Sequence, residues 1–313
     1  MRLAVTGATG FVGGAVCRAA MARGWQVVAF GRRADVDPSH IGGAAYRPWD
    51  LRRGDVPRPP AVDAVIHCAA AATDAGVDRE VWQANVTGTE RVLTSFPSAR
   101  LVHVSTASVY DPYRPTVRAV ESEAPVRRYL NAYAASKAAA ERVVLAAGRD
   151  VVILRPHAVY GPGDTTLLPR LLENVRAGRL LVPGTGRVLT SMTSVDNLVQ
   201  ACLSAAESTV RACVFNIADS DVITVDRALR GLLASAGVPA RPVYLPTGLT
   251  SPLATAAEFL QRHTGHPAKV RLNRYVISQT AMERTLDITA ARRHLAYAPS
   301  PTAFLTAGAE WAG

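Results

Sequence analysis

Apolar and polar positions follow two alternating rhythms along this 313-residue chain. Short β-branched runs at residues 2–6, 26–30, 45–48, 64–67, 101–105 and 151–155 read as buried strands. Between them, stretches with helical spacing at 11–23, 79–96 and 129–147 are each long enough to cross back over a sheet and cover one face. That succession predicts an α/β fold with a doubly wound parallel sheet. After Gly161-Pro162-Gly163 the rhythm changes to a helix at 167–177, a Pro/Gly turn at 183–186 and a helix starting near Asp196. A strand at 214–217, helices near 226–235 and 253–262, and a helical tail follow. The mixed order predicts a smaller C-terminal lobe, built from 165–190 and 223–313, beside a first domain of 1–164 to which 191–222 returns. A cleft between two such lobes is where small molecules commonly bind.

Apolar residues make up 49% and charged residues 19%, the balance of a globular protein with a substantial core, which excludes a disordered chain. The net charge of +10 invites a nucleic-acid partner, but the basic residues are scattered and form only short clusters such as Arg52-Arg53 and Arg127-Arg128. With aromatics at 6%, no nucleic-acid partner is expected, and the positive surface suits an anionic small ligand equally well. Glycines interrupt the apolar N-terminus and no run approaches the ~20 apolar residues of a membrane span, so neither export nor membrane insertion is expected. Cys17, Cys68, Cys202 and Cys213 form no CxxC pair and sit in apolar runs, as small buried hydrophobes in a reducing cytoplasm would. His263 and His266 are the one close histidine pair, without further ligands nearby, so no metal is expected. Lysine occurs only at 137 and 269, which singles out Lys137.

The turn Thr6-Gly7-Ala8-Thr9-Gly10-Phe11-Val12-Gly13 directly follows the first strand and opens the first helix. Gly7 permits a tight turn, Gly10 lets backbone N–H groups approach a pyrophosphate, and Gly13 allows helix and strand to pack closely. The positive end of the helix favours the anion. This identifies the first domain as a Rossmann dinucleotide-binding unit and leaves the C-terminal lobe to bind substrate. The second strand ends in Phe30-Gly31-Arg32-Arg33, with no carboxylate for a ribose hydroxyl. Either Arg32 or Arg33 suits a 2′-phosphate through charge-assisted bonds, so NADP(H) is favoured over NAD(H). Asp50 and Leu51, after the third strand, are placed to touch the adenine edge and face.

Tyr133-Ala134-Ala135-Ser136-Lys137 lies on the helix after the fifth strand, and its i,i+4 spacing puts phenol and ammonium on one face. A free tyrosine with a pKa near 10 is only about 0.1% ionised at neutral pH. A nearby ammonium and the nicotinamide's positive charge, lowering that value by roughly three units, would favour phenolate by about 4 kcal/mol and make proton exchange practical. Upstream, Val104-Ser105-Thr106-Ala107-Ser108-Val109-Tyr110 supplies hydroxyls at the C-terminal edge of the sheet. Thr106 is the first choice to hold a substrate oxygen, with Ser105 and Ser108 as rivals.

Taken in order and spacing, several segments resemble the extended short-chain dehydrogenase/reductase family, the NAD-dependent epimerase/dehydratase-like proteins. They are TGATGFVGG, Val65-Ile66-His67-Cys68-Ala69-Ala70, Asn85-Val86-Thr87-Gly88-Thr89, STASVY, YAASK and the run from Arg155 to Asp164. The resemblance spans essentially the whole chain and implies Thr106, Tyr133 and Lys137 as the catalytic triad. It implies that Ala69, Ala70, Ala71, Asn85 and Ser105 serve the cofactor's passage and that Pro156 and His157 lead the backbone past the nicotinamide. On the substrate side it implies Ser108, Tyr110, His157 and Val159.

Departures from the family pattern narrow the branch. Ala107-Ser108 stands where sugar-nucleotide dehydratases carry Asp-Glu, so dehydration is disfavoured. The arginine that clamps a sugar diphosphate near position 190 is missing from Thr190-Ser191-Met192-Thr193, although Arg187 could substitute. The 155–172 stretch and Leu286–Arg293 look like the 3β-hydroxysteroid-dehydrogenase-like branch, which acts on alcohols and ketones of apolar substrates. The expected function is an NADP(H)-dependent interconversion of a ketone and a secondary alcohol on a small, apolar or 3-oxo/3-hydroxy substrate, in a homodimer. The alternatives are a nucleotide-sugar epimerase with tightly held NAD and a non-catalytic dinucleotide sensor, which could dispense with Tyr133 and Lys137.

Overall fold

A computed structural model describes residues 1–71, 78–264 and 273–305, with 257–264 and 305 described through their backbone alone. Seven strands form the central sheet: β1 Arg2–Thr6, β2 Gln26–Gly31, β3 Ala45–Pro48, β4 Ala64–His67, β5 Arg100–Val104, β6 Val151–Pro156 and β7 Cys213–Ile217. Their order is β7-β6-β5-β4-β1-β2-β3, parallel throughout. This is the Rossmann-like, doubly wound sheet expected from the sequence. The winding reverses between β1 and β4, which splays the loops after these strands and opens a crevice at their C-terminal ends.

Apart from β3 at the sheet edge, the strands are largely buried on both faces, which explains their near-continuous apolar runs. Leu3 and Val5 of β1, Ile66, Val102, Val152 and Leu154 pack on one side against α1 (Phe11–Ala22) and residues such as Leu198 and Cys202. Ala4, Val65, Leu101, Val151 and Ile153 alternate onto the other side with Val92 and Val144. Cys17 and Cys202 are fully buried free thiols, and burial pushes each up to about 12.

Several elements differ from the sequence pattern for local reasons. The 79–96 helix is α2 (Asp78–Trp82) and α3 (Gly88–Ser95) joined by a π turn at Gln83–Thr87. The next helix, α4 (Ala132–Ala146), starts three residues later than periodicity suggests. There the Asn131 side chain accepts the Ala134 N–H at 2.9 Å and caps the helix. The helix expected at 167–177 stops as α5 (Leu167–Leu172), because Val175–Arg176 turns back antiparallel onto Arg179–Pro183. The two residues of that hairpin, Ala177 and Gly178, both have positive φ, the conformation a type I′ turn needs.

Beyond α5 lie α6 (Val195–Glu207), α7 (Val225–Ser235), α8 (Thr247–Thr264), α9 (Arg274–Thr280) and α10 (Thr289–Leu295). Short strands between them form additional small sheets. Leu189–Ser191, for example, pairs with Val222–Thr224 and, through Thr190, with Arg284. The expected histidine pair at 263 and 266, Lys269 and the end of the helical tail lie outside the described side chains. No helix among the described residues is long and apolar enough to cross a membrane.

Candidate active site

Where the winding reverses, a cleft of about 560 Å³ opens between the sheet and the C-terminal elements. Gly7 turns the chain out of β1 at φ +72°, and a Cβ there would lie 2.6 Å from the Ala69 nitrogen. Gly13 is pressed so closely that an added Cβ would strike the Gly7 carbonyl. Gly10 differs, since it is exposed and an added Cβ would meet only the Gly7 oxygen, at 3.2 Å. No side chain caps α1 at Gly10, and Phe11, Val12 and Gly13 join it in lining the cleft. An uncapped helix start bordered by glycine fits a dinucleotide pyrophosphate.

Thr9 sits beside the end of β2, where a Cβ on Gly31 would meet its methyl group at 2.7 Å. Arg32 and Arg33 follow β2 with both side chains exposed, and Arg32 is close enough to Asp50 to help stabilise its carboxylate. Asp50 is bound mainly by Arg52, at 2.8–3.0 Å, which holds its carboxyl at about 2. Asp50 and Leu51, expected at the adenine end, are placed as follows. The Asp50 carboxylate is already committed to Arg52, and Leu51 faces inward, 9% exposed, in the cluster of Phe30 and Trp49. A leucine next to a tight turn has more apolar area to hide in the core than at the rim.

On the opposite wall, Ser105, Thr106 and Ser108 come together with Tyr133 and Lys137. Thr106 accepts the Ser108 N–H at 3.1 Å and donates to the Ser108 hydroxyl at 3.2 Å, which places it at the start of a short 3-10 turn. The Ser105 hydroxyl turns inward and donates to Glu141 at 2.5 Å. Tyr133 stands in the first turn of α4, and Lys137 follows one turn later, 2% exposed. The lysine Nζ donates to the Val104 carbonyl at 2.7 Å and lies 3.2 Å from His103 Nε2. Burial brings Lys137 down to about 8, opposed by the charge of Glu141. Its ammonium is therefore held in a low-polarity layer directly beneath the cleft.

The remaining sequence candidates divide into lining and support. Ala70, Pro156, His157 and Val159 line the cleft. Asn85 does not: it is 1% exposed, accepts the Ala71 N–H at 2.7 Å and donates to the Ser136 hydroxyl at 2.9 Å. Its place in the π turn lets it pin the loop after β4 to α4. Ala71 is held through that backbone bond, and Ala69 packs against the core beneath Gly7. Tyr110 is likewise turned from the cleft. It is 4% exposed, and its hydroxyl donates to Asn216 at 2.7 Å and lies 3.4 Å from Arg155. It borders a small neighbouring cavity together with Ser108 and His157.

Sequence reasoning missed two residues of α9. The Tyr275 hydroxyl is 2.9 Å from that of Ser108, and the Gln279 amide is 2.9 Å from His157 Nε2. His157 Nδ1–H donates to the Ser191 carbonyl at 2.7 Å, so Nε2 is the nitrogen turned to Gln279. Both residues also line the cleft. No motif marks them, because they reach the site through tertiary packing. Beyond them the cleft is walled by Leu167, Leu171, Met192, Val225, Leu229 and Leu232, with Arg170 and Asn174 beside the α5 leucines. Arg187 is exposed and is not part of the cleft lining.

Known proteins share the family pattern and the fold. The pattern of the NAD dependent epimerase/dehydratase family matches residues 3–218. A 4-hydroxy-2-methyl-3-oxo-4-farnesyl-3,4-dihydroquinoline-1-oxide ketoreductase of Stigmatella aurantiaca is 32% identical, over 95% of this chain and 92% of that protein. A 2-alkyl-3-oxoalkanoate reductase of Stenotrophomonas maltophilia is 33% identical, over 96% and 95%. Among solved structures, the UDP-glucuronic acid 4-epimerase of Bacillus cereus in complex with UDP-glucuronic acid and NAD shares the fold. Its TM-score is 0.75 over 99% of this chain and 98% of that one, at 20% identity.

Proposed function

The chain belongs to the NAD dependent epimerase/dehydratase family, and we propose that it is an NADP(H)-dependent reductase interconverting a ketone and a secondary alcohol on a small substrate with an apolar body. Family and relatives together make it an NAD(P)-dependent oxidoreductase. The finer reading is carried by the composition of the cleft. One end offers the glycine loop and hydroxyls, while the other is walled mainly by leucine, valine and methionine, with Arg170 and Asn174 among them and Arg187 outside it. A sugar diphosphate would need several charge-assisted partners at that second end, where Arg170 is the one guanidinium among the described lining residues. An apolar carbonyl compound gains from burying its body there. The exposed guanidiniums of Arg32 and Arg33 support a 2′-phosphate.

Bound in the cleft, the dinucleotide supplies the hydride. Thr106, its hydroxyl proton redirected from Ser108, and Tyr133 each donate a hydrogen bond to the substrate oxygen and orient the carbonyl carbon. Tyr133 passes its phenolic proton to that oxygen as negative charge develops on it. The ammonium of Lys137, one helical turn away, stabilises the phenolate left behind and grips the cofactor ribose. In the reverse direction the same phenolate takes up the alcohol proton.

The purified protein should consume NADPH, seen as loss of nicotinamide absorbance, when offered a panel of apolar 3-oxo compounds. Tyr133→Phe should retain NADPH binding but lose roughly 10²-fold or more in kcat. Protein that purifies with stoichiometric NAD and consumes no NADPH would instead indicate a nucleotide-sugar epimerase. The same reading includes a homodimer, checked by light scattering.

A further inference from the structure

Lys137 carries its charge in an unusual setting. A buried ammonium needs acceptors or a counter-ion. The carboxylate one turn along α4, Glu141, is already paired with Arg155 at 2.7 Å and accepts from Ser105. His67 at the end of β4 and Cys68 just after it face the same layer. Cys68 is kept as the thiol by burial. Burial and the charge of Lys137 keep His67 neutral. The Thr89 hydroxyl donates to the Asn85 carbonyl at 2.7 Å, so at 3.0 Å it accepts from His67 Nε2–H. His67 Nδ1 then accepts from the Thr6 hydroxyl at 2.6 Å. Both ring nitrogens are used, and neither is left for the lysine. Tyr133, on the same helix, is the group the lysine serves.

His103 of β5 remains. It is fully buried, its ring centroid is 5.2 Å from that of His67, and its Nε2 lies 3.2 Å from Lys137 Nζ. Its Nδ1 is buried with no hydrogen-bond partner among the described residues. A ring seated with one nitrogen orphaned is not held there by its own hydrogen-bonding needs, and its other nitrogen faces the ammonium. We propose that His103 is a positioning residue for Lys137, whose unprotonated Nε2 accepts from the ammonium and, with the Val104 carbonyl, holds the lysine charged at the cleft floor. Burial and the charge of Lys137 both keep the imidazole neutral, as this role requires. Because the ring is neutral, it supports the ammonium without adding a carboxylate that would pull the lysine away from the cleft. The proposal rests on the reading of Lys137 as partner of Tyr133 and the ribose.

His103→Phe keeps an aromatic ring and removes the lone pair, while His103→Gln retains an acceptor. With one acceptor lost, the lysine discharges more easily, so the alkaline limb of the kcat/KM profile should fall by about one pH unit in His103→Phe. His103→Gln should lie close to the parent. A merely structural role would lower activity or Tm and leave the limb in place. A limb unmoved in folded His103→Phe, or moved as far in His103→Gln, overturns the proposal. The unsubstituted protein provides a readout independent of activity and of variant folding. Nitrogen-15 NMR of the imidazoles should find His103 as the Nδ1–H tautomer, and an Nε2–H ring would make it a donor and overturn the proposal. A correct tautomer without NADPH turnover would overturn the proposed reaction and leave the His103 contact standing.

Discussion

The pair of Glu141 and Arg155 offers the sharpest test of how the site is held. Both side chains are essentially inaccessible, at 0% and 1%. Glu141 receives Arg155 Nη2 at 2.7 Å, Arg155 Nε at 3.0 Å and the Ser105 hydroxyl at 2.5 Å. Arg155 also donates to the carbonyls of Glu121 and Ala124, at 2.8 and 3.1 Å. One ion pair thus joins α4, β6, the end of β5 and the loop before α4, immediately behind Thr106. Glu141→Gln is nearly isosteric and can still accept from Ser105, so it isolates the loss of charge. An uncompensated guanidinium in such a place costs about 3–5 kcal/mol. Urea unfolding followed by tryptophan fluorescence should show a loss of that size, a large part of the roughly 5–15 kcal/mol that holds most domains folded. Arg155→Met should be costly as well, since it orphans two carbonyls, but the double variant should be less destabilised than the two losses added together. A loss under about 1 kcal/mol in Glu141→Gln, or strict additivity to within about 0.5 kcal/mol, would refute the reasoning.

Two further outcomes follow from charge. Replacing Arg32 and Arg33 together by alanine should raise the KM for NADPH by roughly 10- to 100-fold, the worth of one or two charge-assisted hydrogen bonds, and leave the KM for NADH nearly unchanged; equal effects on both cofactors would remove the 2′-phosphate assignment. Stability should fall in mild acid, because burial brings His67 down to about 3 and lowers His103 and His157 in the same direction. Between the unfolded value near 6.5 and the depressed folded values, the unfolded chain binds more protons. Stability is therefore full above about pH 6.5 and declines below it, by up to about 1.4 kcal/mol per pH unit for each histidine. A Tm that stays flat from pH 7 to pH 5 would contradict this.

The central sheet was legible because its information is local. Apart from the edge strand β3, each of the first six is a mainly apolar run that no other element type explains at that length, and the structure moves the ends of all six by a residue at most. Helix boundaries were less legible, since periodicity cannot distinguish Tyr129 from Ala132 as a start; the Asn131 cap decides it. The π turn at Gln83–Thr87 was invisible because it follows from Asn85 having to reach both Ala71 and Ser136, which lie far apart in sequence. The short C-terminal strands were missed for a related reason. Thr190 pairs with Arg284, and Arg284 with Thr116, across separations that no local pattern encodes.

The same division runs through the site. Gly7, Gly10, Gly13, Thr106, Tyr133 and Lys137 sit in contiguous motifs whose spacing states their geometry, and these are the residues that carry the proposed chemistry. Tyr275 and Gln279 reach Ser108 and His157 from α9, over more than 120 residues of chain. They line the cleft beside α5 and α7, whose leucines stand with Arg170 in its wall. Neither Ser108 nor His157 ends in solvent, so a substrate entering the cleft meets hydroxyls and an imidazole already oriented by the C-terminal lobe. Substitutions in α9 should therefore change which ketone is accepted while Tyr133 and Lys137 continue to serve the transfer. That separation is why family motifs reveal the reaction type sooner than the substrate.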